Sequence, residues 1–119
     1  MEPTLFYLKT CDTCKRLKAM LPSSVKRQEQ DIKSEPITPQ QLDFLKEKAG
    51  SYEALFSRKA NLYKERGLAH ETLQEADYRQ LILEHYTFLK RPVLYLDDTL
   101  LIGSDPSVKK KWLERFPHD

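Results

Sequence analysis

"LFYLKTCDTCKRLKAML", residues 5–21, holds both cysteines of the 119-residue chain, Cys11 and Cys14, as a C-x-x-C where an apolar run gives way to a helical pattern. Just upstream, Thr4 to Lys9 is rich in β-branched and aromatic types and reads as a strand. A turn follows at Thr10 to Asp12, with Thr10 or Asp12 placed to cap a helix. That helix runs to about Leu21, with Leu17, Met20 and Leu21 on one face, and Pro22-Ser23-Ser24 breaks it. "VKRQEQDI" (25–32) reads as a second, more polar strand, parallel to the first because a helix crosses between them. The cysteine pair therefore sits at the first strand-to-helix turn of a βαβ unit.

The middle of the chain changes character. "SEPITPQQLDFLKEKAG" (34–50) opens with prolines and a Thr38 cap, carries Leu42 and Leu45 on one face, and stops at Gly50. "SYEALFSRKANLYKERG" (51–67) and "ETLQEADYRQLILEHY" (71–86) read as two further helices with no strand between. "RPVLYLDDTLLIG" (91–103) is strand, Asp-Asp-Thr turn, strand, which is hairpin chemistry. "DPSVKKKWLERF" closes as a helix capped at Ser104 or Asp105, with Val108, Trp112 and Phe116 on one face. The order is βαβ, a helical insertion at about 36–88, then ββα. Without the insertion this is the thioredoxin-like plan: an α/β fold with a four-stranded mixed sheet flanked by helices. The whole chain, 1–119, is expected to form one domain.

Composition narrows the partners. Twenty basic against eighteen acidic residues leave a net charge of +2, and the densest basic run, Lys109-Lys110-Lys111, reads as a solvated helix face. Direct nucleic-acid binding wants a concentrated basic face and is not expected. "MEPTLFYLK" lacks the pattern of a signal peptide, and no stretch approaches the ~20 apolar residues of a membrane span. A cytoplasmic address is expected, where ordinary thiols are kept reduced. With no large unexplained apolar surface, a monomer is the default.

Three chemistries compete for the cysteine pair. A structural zinc site wants four ligands, and His70, His85 and His118 supply no H-x(3–5)-H partner, so no metal is expected. As a staple, so small a ring contributes only ~2 kcal/mol in the chain-entropy view, and a reducing compartment would open it. Redox chemistry fits the placement. A helix N-terminus offers unpaired N–H groups and a positive dipole end, which favour a thiolate. Cys11, at the turn, is the expected nucleophile. Cys14, one turn on, is close enough to resolve an adduct at Cys11. Lys15 and Arg16 add positive potential if they fold back, and equally well point to solvent.

At this point the chain resembles the arsenate reductase (ArsC)/Spx family, through "FYLKTCDTC", "DIKSEPITPQQL", "ALFSRKANLYKERGL" and "LKRPVLYLDDTLLIG" in the family's order and spacing. The resemblance implies a thioredoxin-like fold with a helical insertion, Cys11 as nucleophile, and a cis Pro92 packed against the cysteine loop. It also implies that Arg58 and Arg91 bind substrate near Cys11, where guanidinium forks suit tetrahedral oxyanions. Read without it, both arginines are ordinary surface charges. Two departures stand out. The third arginine that the family's arsenate reductases carry after the hairpin is absent near Gly103 and Ser104. The second cysteine, Cys14, is one those reductases generally lack.

Both departures look more like Spx, a redox-sensing regulator that binds the RNA polymerase α subunit, and Gly50 falls where Spx has a glycine important to that contact. Two functions are thus expected to compete. One is a thiol–disulfide oxidoreductase, arsenate reductase-like, acting on a small oxyanion or a disulfide. It binds no cofactor and draws electrons from glutathione, glutaredoxin or thioredoxin. The other is a regulator whose Cys11–Cys14 bond is the switch, and whose insertion leaves apolar residues such as Phe44, Tyr52, Phe56 or Tyr63 outward.

Overall fold

The computed structural model describes residues 1–117; His118 lies outside the described residues. The chain divides into two compact units, Met1–Glu35 with Arg91 onward, and Pro36–Lys90.

The first unit contains β1 (Thr4–Tyr7), α1 (Asp12–Ala19), β2 (Gln28–Asp31), β3 (Val93–Leu96), β4 (Thr99–Ile102) and α5 (Pro106–Arg115). The strands form one sheet in the order β2-β1-β3-β4. β1 and β2 run parallel, with Leu5 opposite Glu29, as a helical crossover requires. β1 and β3 are antiparallel, as are β3 and β4. Alternation along the strands sends Leu5, Tyr7, Leu94, Leu96 and Leu101 to one face, where they meet Cys14, Leu17 and Leu21 beside Trp112 and Phe116. Trp112 is completely buried, so the tryptophan read from the helical pattern anchors α5 to this core. The hairpin turns on Asp97 and Asp98, both left-handed at φ 50° and 59°, the geometry of a two-residue turn that matches strand twist. Arg115 braces it, donating to Leu96 O at 3.3 Å and to Asp97 Oδ2 at 2.8 Å.

The second unit contains α2 (Pro39–Ala49), α3 (Asn61–Glu65) and α4 (Glu75–Glu84), with 3-10 turns at Glu53–Leu55, Leu68–His70 and Tyr86–Phe88. α2 starts on a capping box: Thr38 Oγ1 accepts from Gln41 N–H at 3.1 Å, and Thr38 N–H donates to Gln41 Oε1 at 3.0 Å. It stops at Gly50, left-handed at φ 95°.

The helix expected over 51–67 is not continuous. Phe56 is extended, bridges antiparallel to Leu89, and is buried among Tyr78, Phe88 and Tyr63 with ring centroids at 4.9, 5.4 and 6.0 Å. Burying that ring outweighs helical continuity, so helix is kept only over Asn61–Glu65. The last helix of the insertion also shortens, to Glu75–Glu84: a capping box starts it at Gln74, whose N–H donates to Asp77 Oδ2 at 2.8 Å, and the backbone turns extended at His85. The Glu75 carboxylate accepts from the N–H groups of Tyr52 and Glu53 at 2.8 and 3.1 Å. Among the described residues no helix is long and apolar enough to cross a membrane.

Candidate active site

The cap of α1 departs from expectation. Neither Thr10 nor Asp12 caps it: the N-cap is Cys11 itself, extended at φ −92° and ψ 116°, with no side-chain hydrogen bond closing the cap. The backbone around it is fixed by Cys11 N–H to Leu8 O and Lys15 N–H to Cys11 O, both 3.0 Å. Cys11 is half-buried and Cys14 is 0% exposed, and both thiols are free.

Their environments push them apart. At Cys11, burial is the largest influence and pushes the thiol up. The N–H and thiol of Cys14, the charge of Arg91 and the N–H of Thr13 together outweigh it, and Cys11 settles below its ordinary value. At Cys14, burial again leads, joined by the hydrogen bond and charge of Cys11, while the Leu8 backbone and Arg91 oppose; the thiol is pushed up to about 12. One sulfur is thus the more readily ionised of the two, and its neighbour is held as a neutral thiol.

The cation among the leading influences on Cys11 is Arg91 rather than Lys15 or Arg16. Lys15 extends to Asp12 at 4.0 Å on an exposed surface, and Arg16 reaches Thr13 Oγ1 at 3.5 Å. Arg91 is half-buried, and the Arg91–Pro92 peptide bond is cis. Pro92 is buried, and its carbonyl accepts the N–H of Gly103 at 2.8 Å. Gly103 is itself buried and left-handed at φ 80°, a backbone that only glycine adopts without strain.

Cys11, Cys14, Arg91 and Pro92 belong to the first unit, and Arg58 and Gly50 to the second. Arg58 Nη2 lies 2.6 Å from Glu53 Oε2 and 3.0 Å from Tyr78 Oη, with its guanidinium 5.6 Å from the Tyr78 ring centre. No sequence signal marks these partners: Glu53 is five positions away, off helical spacing, and Tyr78 is twenty. Gly50 is exposed, and a Cβ there would meet nothing within 4 Å. Of the four apolar candidates on the insertion, Phe56 is core and Phe44, Tyr52 and Tyr63 are half-buried. Among the described residues no group of three or more His, Cys, Asp or Glu side chains forms a metal-binding cluster.

Among curated proteins none is significantly similar to the chain. Solved structures are. The YFFB protein is 26% identical, covering 93% of this chain and 98% of its own, with a TM-score of 0.76. An arsenate reductase (ArsC) related protein from Brucella melitensis is 25% identical, covering 96% of each chain, with a TM-score of 0.67. An arsenate reductase from Vibrio cholerae, 20% identical over 96% of this chain and 97% of its own, shares the fold with a TM-score of 0.77. The ArsC family model matches residues 6–111, from within β1 into α5, and so takes in both cysteines, the insertion and the hairpin. The chain belongs to the ArsC family and is a thiol redox protein of thioredoxin-like fold.

Proposed function

We propose that the protein is a thiol-dependent oxidoreductase in which Cys11 is the nucleophile and Cys14 the resolving thiol. The observation that carries this reading is the split between the two sulfurs, one lowered at a helix N-cap and one raised in the core. The Cys11 thiolate attacks the substrate. Once Cys11 is bonded it no longer carries charge, and so no longer holds back ionisation of Cys14. Cys14 then attacks the Cys11 sulfur, closing a Cys11–Cys14 disulfide and releasing reduced product. Glutathione, glutaredoxin or thioredoxin restores the dithiol. Arg91 steadies the thiolate, Pro92 shapes the loop facing it, and Arg58 and Arg91 are the substrate-binding cations of this reading. The compartment that suits it is the cytoplasm.

Alkylation tests the assignment. Cys11 should alkylate at pH ~6 faster than an unperturbed thiol, and a Cys14→Ser variant should accumulate a mixed disulfide at Cys11. Cys11 reacting no faster than free cysteine would sink the reading, and adducts at Cys14 alone would reverse the order of attack.

The second reading is a redox-sensing regulator that meets the RNA polymerase α subunit near Gly50. The open space around Gly50 favours it. Against it, the large apolar side chains exposed among the described residues, Met1 and Leu113, both lie outside the insertion. We therefore place the enzyme first.

A further inference from the structure

We propose that the outer edge of β4 is a docking site for an extended polypeptide segment, apolar on one face and acidic on the other, which joins the sheet as an added strand. The hydrogen-bond pattern identifies the edge. β4 ends the sheet order, with β3 as its neighbour. Gly103 N–H donates to Pro92 O at 2.8 Å, and the register carries that pairing along the ladder to Leu101 with Leu94 and Thr99 with Leu96. Leu100 and Ile102, lying between these, turn their N–H and C=O groups away from β3. Among the described residues nothing else in the chain meets those groups.

The opposite edge shows what protection looks like. On β2, Glu29 holds Lys18 and Arg27, each at 3.0 Å, and the Asp31 carbonyl is taken by Glu35 N–H at 2.7 Å. Charges and closing turns keep an edge strand from recruiting another chain. β4 has neither. Thr99 to Gly103 carries no charge and no proline, and Leu100 and Ile102 are half-buried.

The surroundings set the chemistry of the occupant. Leu101 points into the Trp112 core, so Leu100 and Ile102 lie on the other face, and apolar residues suit the positions beside them. On the Leu101 side lies α5. Its Arg115 reaches the hairpin at Leu96 O and Asp97, and Lys111, one turn earlier on the same side of the helix, is exposed. With the exposed Lys109 and Lys110 it makes this flank positive, which suits acidic residues at the alternate positions of the segment. A second copy of the chain fits badly. The register that uses both Leu100 and Ile102 is symmetric about Leu101, and it sets Asp97 opposite Asp105 at each end.

The test is amide hydrogen exchange, read by NMR on the full chain with the peptide Val-Glu-Val-Glu-Val-Glu-Val at ~1 mM. The Leu100 and Ile102 amides should exchange at least ~10-fold more slowly with peptide, while Leu101, already paired to β3, stays unchanged. The counterpart Val-Lys-Val-Lys-Val-Lys-Val should bind at least ~5-fold more weakly. No added protection at Leu100 and Ile102 would overturn the proposal. So would protection that grows with protein concentration in the absence of peptide, since a second copy would then cover the edge. Ile102→Pro, which removes an outward N–H at an edge position, should abolish binding, and a folded variant that still binds overturns the edge pairing. Lys111→Glu leaves the strand intact and decides alone if the proline variant does not fold. It should lower affinity for the acidic peptide at least ~5-fold, and an unchanged affinity overturns the assignment of an acidic partner.

Discussion

Around Trp112 the cysteine-bearing unit closes on apolar side chains, and it buries Cys14 among them. The Pro36–Lys90 unit closes differently. Beside its Phe56 ring cluster it sets charged and phenolic groups: Arg79 bidentate on Asp43 at 2.8 and 3.1 Å, Tyr52 Oη on the same carboxylate at 2.7 Å, and Glu75 across two backbone N–H groups. The contrast matters for chemistry. A dry core keeps Cys14 neutral until it is needed, whereas the polar network pairs Asp43, Arg79 and Glu75 with groups of opposite polarity. The first unit uses burial to tune a reactive group; the second uses pairing to quiet its charges.

The sharpest way to break this contrast is to empty the apolar side. Trp112→Ala should cost about 3–5 kcal/mol, read from urea unfolding, because the ring is wholly buried. A loss under ~1 kcal/mol would mean that the core relaxes around the gap. Gly50→Ala comes next. The residue holds φ 95°, where an L-side chain is strained, so about 1–2 kcal/mol should be lost although the space is open. A neutral result would show that the α2 terminus rearranges.

The two units should also answer pH at opposite ends. Cys14 is raised in the folded state, so its contribution to stability is complete below its ordinary 9.0 and is lost as pH climbs toward about 12. Cys14→Ala should flatten that alkaline decline; an unchanged profile would remove burial as the cause. Asp43 is held down to about 2, first by its hydrogen bond from Arg79 and then by that from Tyr52. Its contribution is present above its ordinary 3.8 and is lost as pH falls toward 2, so Asp43→Asn should flatten the acid limb. The carboxylate is exposed enough that this is the smaller of the two. Smallest of all, Lys15→Ala should change the Cys11 alkylation rate less than about twofold, since that side chain leans to Asp12 in solvent.

Reading the chain in one dimension succeeds where the cause is local. The turn chemistry of Asp97-Asp98, the Thr38 cap, the Gly50 stop and the Trp112 and Phe116 face each rest on neighbours within a few positions, and each is present in the fold. It fails where a distant partner decides. The 51–67 helix is interrupted because Phe56 pairs with residues more than twenty positions on, Tyr78 and Phe88. The Arg79 partner of Asp43 lies thirty-six positions away, and no periodicity announces it. At the site, the cysteine spacing was legible. The resemblance marked Arg58, but its Glu53 and Tyr78 partners were not visible, since charge compensation is a property of the folded surface. The cap was misread for a subtler reason. Oxygen-bearing Thr10 and Asp12 are the better helix starters, and the chain starts its helix on sulfur instead.

That choice has a cost in durability. An oxygen at the N-cap typically adds about 0.5–2 kcal/mol over a residue that cannot accept from the first-turn N–H groups. Cys11→Ser would supply that oxygen at a position where the neutral thiol closes no cap bond, while the ionised sulfur draws on the N–H groups of Thr13 and Cys14. The inert serine form should therefore be the hardier protein at acid pH, where Cys11 is neutral, with the higher melting temperature and the slower proteolysis there. A sequence optimised for shelf life alone would drift toward it, and only a demand for chemistry keeps the sulfur in place.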